Sequence, residues 1–366
     1  MSDSTNFPFH ERRRQQFLDE YTYEGLVSFF EEDVEWCKTG AAFPQRPNDD
    51  GLYNARYGGG IQSLQFTTYL YTGGEPFERM LQQLITTIEL YEDALRLHPK
   101  ALKIGTTAYP VFEIYEPENL FDLTKLASLT VLFSRPDLTR RVNACVQQQE
   151  LFNDAVYGYI VTGERVSNTT VDKQHQKRYQ QLIDAIHAPN TDDVLKSMHA
   201  YLKDWYKKHK GYLWHGSHER FTDDDNGREV NEGYMGYWSF EAAAVVYRLG
   251  LDDTELHQYI WYPKDIVAYA RTLATEAATE PTIPQPEPPP SRYTGYSVAV
   301  GEVCQETGYY ECPRLKGRTV MLMQGQPVAG DKHNEMGAII WYKLTKEAER
   351  YYLDNRKKDP FTGNWE

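Results

Sequence analysis

At 366 residues the chain has room for two domains and a small third, and 40% hydrophobic with 14% aromatic residues excludes extensive disorder. Its formal charge of −14 opposes a phosphate backbone, which argues against direct nucleic-acid binding and favours a basic partner. No apolar run is long enough to span a bilayer, and residues 1–6 lack the basic and then apolar pattern of a signal peptide, so a soluble cytoplasmic protein is expected.

From Arg12 to about Thr39 a helical region is predicted, with Leu26, Phe29, Phe30, Val34 and Cys37 on one face and Glu31, Glu32, Asp33 and Glu35 largely off it. Those acids suit a solvated face or a docking surface. Pro44 to Gly60 is rich in Pro, Asn, Asp and Gly and predicts a loop. Gly58-Gly59-Gly60 within it has no Gly-Lys-Ser/Thr and no preceding strand, so a flexible turn is expected, not a phosphate cradle. Gly73-Gly74 breaks the chain. Phe77, Met80, Leu81, Leu84, Ile85, Ile88, Tyr91 and Leu95 then predict an amphipathic helix.

Glu116-Pro117 opens another apolar helix through Phe133, and Arg135-Pro136-Asp137 ends it. The helix that follows is predicted to run through Val142, Cys145, Val146, Leu151, Ala155 and Val156. The polar stretch Gly163 to Asp172 is the expected boundary between an N-terminal helical domain (1–165) and a C-terminal one (166–275). Helices are predicted near Gln174 to Ile186 and Asp192 to Lys208, the second acidic at its start and basic at its end.

Next comes a polar loop from Trp214 to Gly227. His215, His218 and the nearby aspartates could serve a metal-dependent hydrolase, but no His-Glu-x-x-His, Gly-x-Ser-x-Gly or calcium-loop spacing is present, so no metal, cofactor or catalytic residue is assigned. From Glu219 to Leu256 there are ten acids (Glu219, Asp223, Asp224, Asp225, Glu229, Glu232, Glu241, Asp252, Asp253 and Glu255) against three arginines, a net charge of −7. That is half of the whole deficit. With Trp214, Phe221, Tyr234 and Tyr259 as aromatic anchors beside them, all of these acids except Glu241 and Glu255 are the candidate partner-binding residues.

The run Gly236 to Gly250 is apolar on almost every side, which predicts a buried helix, and Gly250-Leu251 predicts its Schellman stop. Glu241 in its middle fits either a catalytic acid or a structural acid satisfied by neighbouring helices; with Trp238 it is read as structural. Gly236-Tyr237-Trp238-Ser239-Phe240-Glu241-Ala242-Ala243, Leu249-Gly250-Leu251-Asp252-Asp253 and Trp261-Tyr262-Pro263-Lys264-Asp265-Ile266-Val267 together resemble the C-terminal signature of the PoNi immunity proteins. Arg12 to Phe133 resembles the family's N-terminal helical part less sharply. The resemblance implies a binding protein that neutralises a PoNe-type DNase toxin, of PD-(D/E)xK type and often a type VI secretion effector.

After Leu273 the composition changes. A proline-rich linker (276–292) is expected, then short strands at Tyr296 to Val300, Thr319 to Met323 and Ala338 to Tyr342 in a small β module (293–345), then a charged tail (346–366). Cys304 and Cys312 could be core thiols, a disulfide or part of a zinc site. The expected class is therefore mainly α, a bundle-like scaffold in two helical parts followed by the β module. Besides an immunity protein and a hydrolase, an effector adaptor or chaperone that docks through the β module is a third reading.

Overall fold

Among the described residues up to Thr279, apolar helical stripes are buried against one another, helix on helix. A computed structural model describes residues 8–40, 49–103, 111–231, 233–279, 293–299, 302–312, 318–325, 328, 333–334, 337–338 and 340–355. They fall into two units, Met1–Thr279 and Glu280–Glu366.

In the first unit a short α1 (Phe9–Arg12) precedes α2 (Glu20–Thr39), whose first turn is closed by Asp19 accepting from the Thr22 N–H. α3 (Asp49–Thr72) and α4 (Phe77–Lys103) form a long antiparallel pair, and α2 packs on α3. α5 (Pro117–Leu132) and α6 (Pro136–Cys145) each begin on a proline, whose missing N–H costs nothing at that position. α7 (Tyr157–Thr162), α8 (Lys173–His187) and α9 (Thr191–Lys208) follow, with Asp172 and Asn190 capping the last two. A two-stranded ribbon, β1 (Thr222–Asp223) and β2 (Glu229–Val230), leads to α10 (Phe240–Leu249) and α11 (Lys264–Thr279). α10 packs on α5, α7, α8 and α11, so it is covered on several sides, and every residue from Phe240 to Val246 is buried.

Four local expectations change. Residues from Asp49 on, including Gly58-Gly59-Gly60, lie inside α3 and not in a loop. A Cβ at Gly59 would stand 2.5 Å from Cys37 Cβ, and one at Gly60 would stand 2.6 Å from the Tyr91 ring. Those two glycines let α2 and α4 approach α3; they are packing residues, not turn residues. Phe29 is 53% exposed, because one residue turns the helix by about 100° and sets it apart from the buried Phe30. The helix predicted through Val156 breaks after Cys145, since the buried Asp154 carboxylate accepts from the N–H groups of Val156, Tyr157 and Val171 and starts α7 afresh. Gly236 to Ser239 precede α10 in a non-helical backbone, Gly236 having φ +106°. At the other end, Gly250 N–H to Tyr247 O (3.1 Å) and Leu251 N–H to Val246 O (3.2 Å) are the two bonds of a Schellman stop.

The second unit holds β3 (Tyr293–Ala299), β4 (Gly308–Cys312), β5 (Arg318–Leu322), β6 (His333–Asn334), β7 (Gly337–Ala338), β8 (Ile340–Leu344) and α12 (Lys346–Asn355). Four strands make an antiparallel sheet in the order β3-β8-β4-β5, and β6 pairs with β7. β4 had no counterpart among the expected strands. Cys304 is a free buried thiol 3.0 Å from Glu306 O and 3.4 Å from Tyr310 Oη. The side chain of Cys312, the linker residues 280–292 and the tail residues 356–366 lie outside what is described.

Two histidines in the first unit set an acid limit on stability. His175 and His209 are both fully buried. Neither ring nitrogen of His175 meets a hydrogen-bond partner among the described residues, while His209 Nδ1 donates to Trp205 O at 2.7 Å. Burial pushes His175 down to about 4 and His209 down to about 3. An unfolded histidine titrates near 6.5. As pH falls below that value the unfolded chain takes up protons that the fold refuses, so stability held at neutral pH is lost at up to about 1.4 kcal/mol per pH unit for each histidine. The buried Glu241 and Asp154 carboxyls are raised and lean the other way, so a difference isolates the effect. His175→Phe should flatten the stability profile between pH 6 and 4.5 by about 1 kcal/mol per unit, read from urea unfolding at each pH. An unaltered slope would mean that His175 takes up its proton in the folded state.

Candidate functional site

The acidic stretch is a β-hairpin whose shape is set by one of its own acids. Thr222 pairs with Val230 and Asp223 with Glu229. Asp224 Oδ1 accepts from the Asn226 N–H (2.9 Å) and the Arg228 N–H (2.8 Å), and Gly227 closes the turn at φ +72°. Asp224 Oδ2 accepts from Tyr21 Oη at 2.6 Å, and the Arg228 guanidinium lies 3.8 Å over the Tyr21 ring. The hairpin tip is thus pinned to the start of α2. The Tyr21 hydroxyl and the two turn N–H groups hold the Asp224 carboxyl below the usual range. Asp223, Asp225, Glu229 and Glu219 stay exposed around it; Glu232 lies outside the described residues.

The other candidates differ in what they can offer a partner. Asp252 is exposed but spends Oδ1 on the Thr254 N–H and hydroxyl. Asp253 is buried, with Arg271 Nη1 at 2.6 Å, Tyr262 Oη at 2.8 Å and His257 Nε2 at 3.4 Å, and so ties α11 to the end of α10. It offers nothing to a partner. Among the aromatic candidates Phe221 is exposed, and Trp214 is half-buried between Phe121 (5.6 Å) and Trp205 (5.5 Å). Tyr259 is half-buried with its hydroxyl on His199 Nδ1 at 3.1 Å, and Tyr234 is fully buried with its hydroxyl donated to Gln15. His215 stacks on Tyr206 at 4.1 Å and His218 Nδ1 lies 2.8 Å from Tyr237 Oη. Among the described residues no three His, Cys, Asp or Glu side chains come together as a metal site.

A buried polar network gathers around the start of α10. Glu241, 1% exposed, receives Tyr201 Oη (2.8 Å), Trp205 Nε1 (2.6 Å) and Ser239 Oγ (2.6 Å) on Oε1. This joins α9 to α10. Trp238 Nε1 donates to Thr72 Oγ1 (2.8 Å), and a Cβ at Gly236 would collide with that hydroxyl. Gln15, buried ahead of α2, donates to Tyr237 O (2.7 Å) and Ile260 O (2.9 Å) and accepts from the Tyr237 N–H (2.9 Å). No local pattern in the sequence marks Gln15, because its partners lie more than two hundred residues away.

Residues 152–266 match the family model described as PoNe immunity proteins (PoNi), C-terminal. Over that span the chain is similar to the C-terminal region of the PoNi proteins. PoNi proteins are immunity proteins, inhibitors and not catalysts, and the matched span takes in α7, α8, α9, the acidic hairpin and α10. Within the matched span, Tyr237 to Glu241 are buried and belong to this polar network. No curated protein matches the sequence. The crystal structure of protein PA2201 from Pseudomonas aeruginosa is similar in fold, with a TM-score of 0.54 and 13% identity over 72% of this chain and 92% of that chain.

Proposed function

We propose that this PoNi-type chain protects its cell in the cytoplasm by binding a basic PoNe-type DNase toxin, delivered by a type VI secretion system, through the acidic surface of the hairpin. The family match supplies the class of partner and carries the reading. The exposed Asp223, Asp225, Glu229 and Glu219 supply the physical route. A nuclease must present positive charge to its DNA, and a negative surface speeds its capture and competes for the same groups. Release is then slowed by whatever apolar contact is dehydrated beneath the charges.

The test is direct. The cognate PoNe-type DNase domain should degrade plasmid DNA by itself and stop doing so at one equivalent of the purified chain. Bacteria expressing that domain should survive only when the chain is co-expressed. Undiminished cleavage at a several-fold excess of the chain would dispose of the reading.

A further inference from the structure

Between α2, α3 and the hairpin lies a groove of about 670 Å³, lined among others by Tyr21, Gly25, Phe29, Val230 and Met235. Its helical wall is unusual. Tyr21, Phe29 and Trp36 are 39%, 53% and 52% exposed on one outward stripe of α2; Tyr21, with Arg228 over one face of its ring, and Phe29 line the groove, and Trp36 continues the stripe beyond it. Three large rings along one exposed stripe mark a surface built to be covered.

Gly25 is the second observation. It sits inside α2, where glycine is destabilising relative to alanine. A Cβ there would meet no atom of the described residues within 4 Å, and its φ is not positive. Gly59 and Gly60 in α3 have neighbours that forbid a side chain; Gly25 has none, and Gly58, likewise open, does not line the groove. The fold gains nothing from Gly25. A groove left clear for something else does.

Charge says what that is. Glu24 and Asp224 line the groove; around it α2 carries Glu20, Glu32, Asp33 and Glu35, besides Glu31 paired with Arg79, against Lys38, and Asp223, Asp225 and Glu229 stand on the hairpin. We propose that the groove receives a large apolar side chain carried on a basic segment of the toxin, with Phe29 and the open backbone at Gly25 as its seat. This rests on the toxin-binding reading and adds where the contact is anchored.

The test titrates the full chain with the cognate PoNe-type DNase domain, by calorimetry at low and at high salt. Gly25→Met fills the groove and improves the helix, so its melting temperature should hold or rise while affinity falls about ten-fold or more at both salts. Phe29→Ser, a change at an exposed position, should lose a similar factor. Binding of both variants at the wild-type affinity, with hairpin charge reversal still weakening capture, would overturn the groove and leave toxin binding in place. A wild-type chain that does not bind the domain would overturn both.

Discussion

Glu241→Ala should lower the unfolding free energy by about 3–5 kcal/mol, a large part of what a domain of this kind has to lose. The carboxylate accepts from Tyr201, Trp205 and Ser239, and all three donors are buried with it. Removing it leaves a hydroxyl, an indole N–H and a second hydroxyl without water and without an acceptor. Each such orphan costs about 1–3 kcal/mol, offset in part by the desolvation that the charge no longer suffers. Glu241→Gln separates geometry from charge. The three bonds converge on Oε1, a position that an amide oxygen can fill, so about 1–2 kcal/mol is expected for the amide. Urea unfolding of the two variants checks this. Equal losses would mean that the negative charge, and not the acceptor, holds α9 to α10.

How far the sequence disclosed this arrangement depends on the distance over which each group finds its partners. Periodicity located α4, α5, α8, α9 and α10, because an apolar stripe at three- and four-residue spacing is a local signal. It also isolated Glu241 as the one acid in an apolar helix. It could not name Tyr201 and Trp205, which approach from another helix. Gly58-Gly59-Gly60 misled for a related reason: the same residue that frees a turn also permits close helix contact, and only Cys37 and Tyr91 across the gap decide between them.

At the surface the difficulty was of another kind. Composition found the hairpin acids but treated them alike. Asp224 organises the turn, Asp253 is sealed beneath Arg271 and Tyr262, and the exposed acids alone are free to meet a partner. The stripe of Tyr21, Phe29 and Trp36 was hidden because Phe29 fell in an amphipathic pattern and was counted with the apolar face, while Tyr21 and Trp36 were assigned to none. Tyr237 to Ala243, the longest block of the resemblance, are buried, so most of what is recognisable in the sequence lies away from the proposed contact surface.

This separation fixes how the charge hypothesis should be tested. Replacing Asp223, Asp225 and Glu229 with lysine reverses three exposed side chains and leaves Asp224 in place. Including Asp224 would break its bonds to Asn226, Arg228 and Tyr21 and confound lost charge with a lost turn. The melting temperature should stay within about two degrees, as surface changes away from packed features usually allow. Affinity for the toxin should fall by about two to three orders of magnitude at low salt, since lysines would then face a cationic partner. Most of that loss should be in the association rate and should shrink as salt rises, because screening acts on the approach more than on contacts already dehydrated. A loss concentrated in dissociation would place these acids inside the closed contact instead of at its rim. Capture at the wild-type rate in low salt would mean that the toxin approaches another face, and Phe29 and Gly25 would then have no charged rim to guide a partner to them.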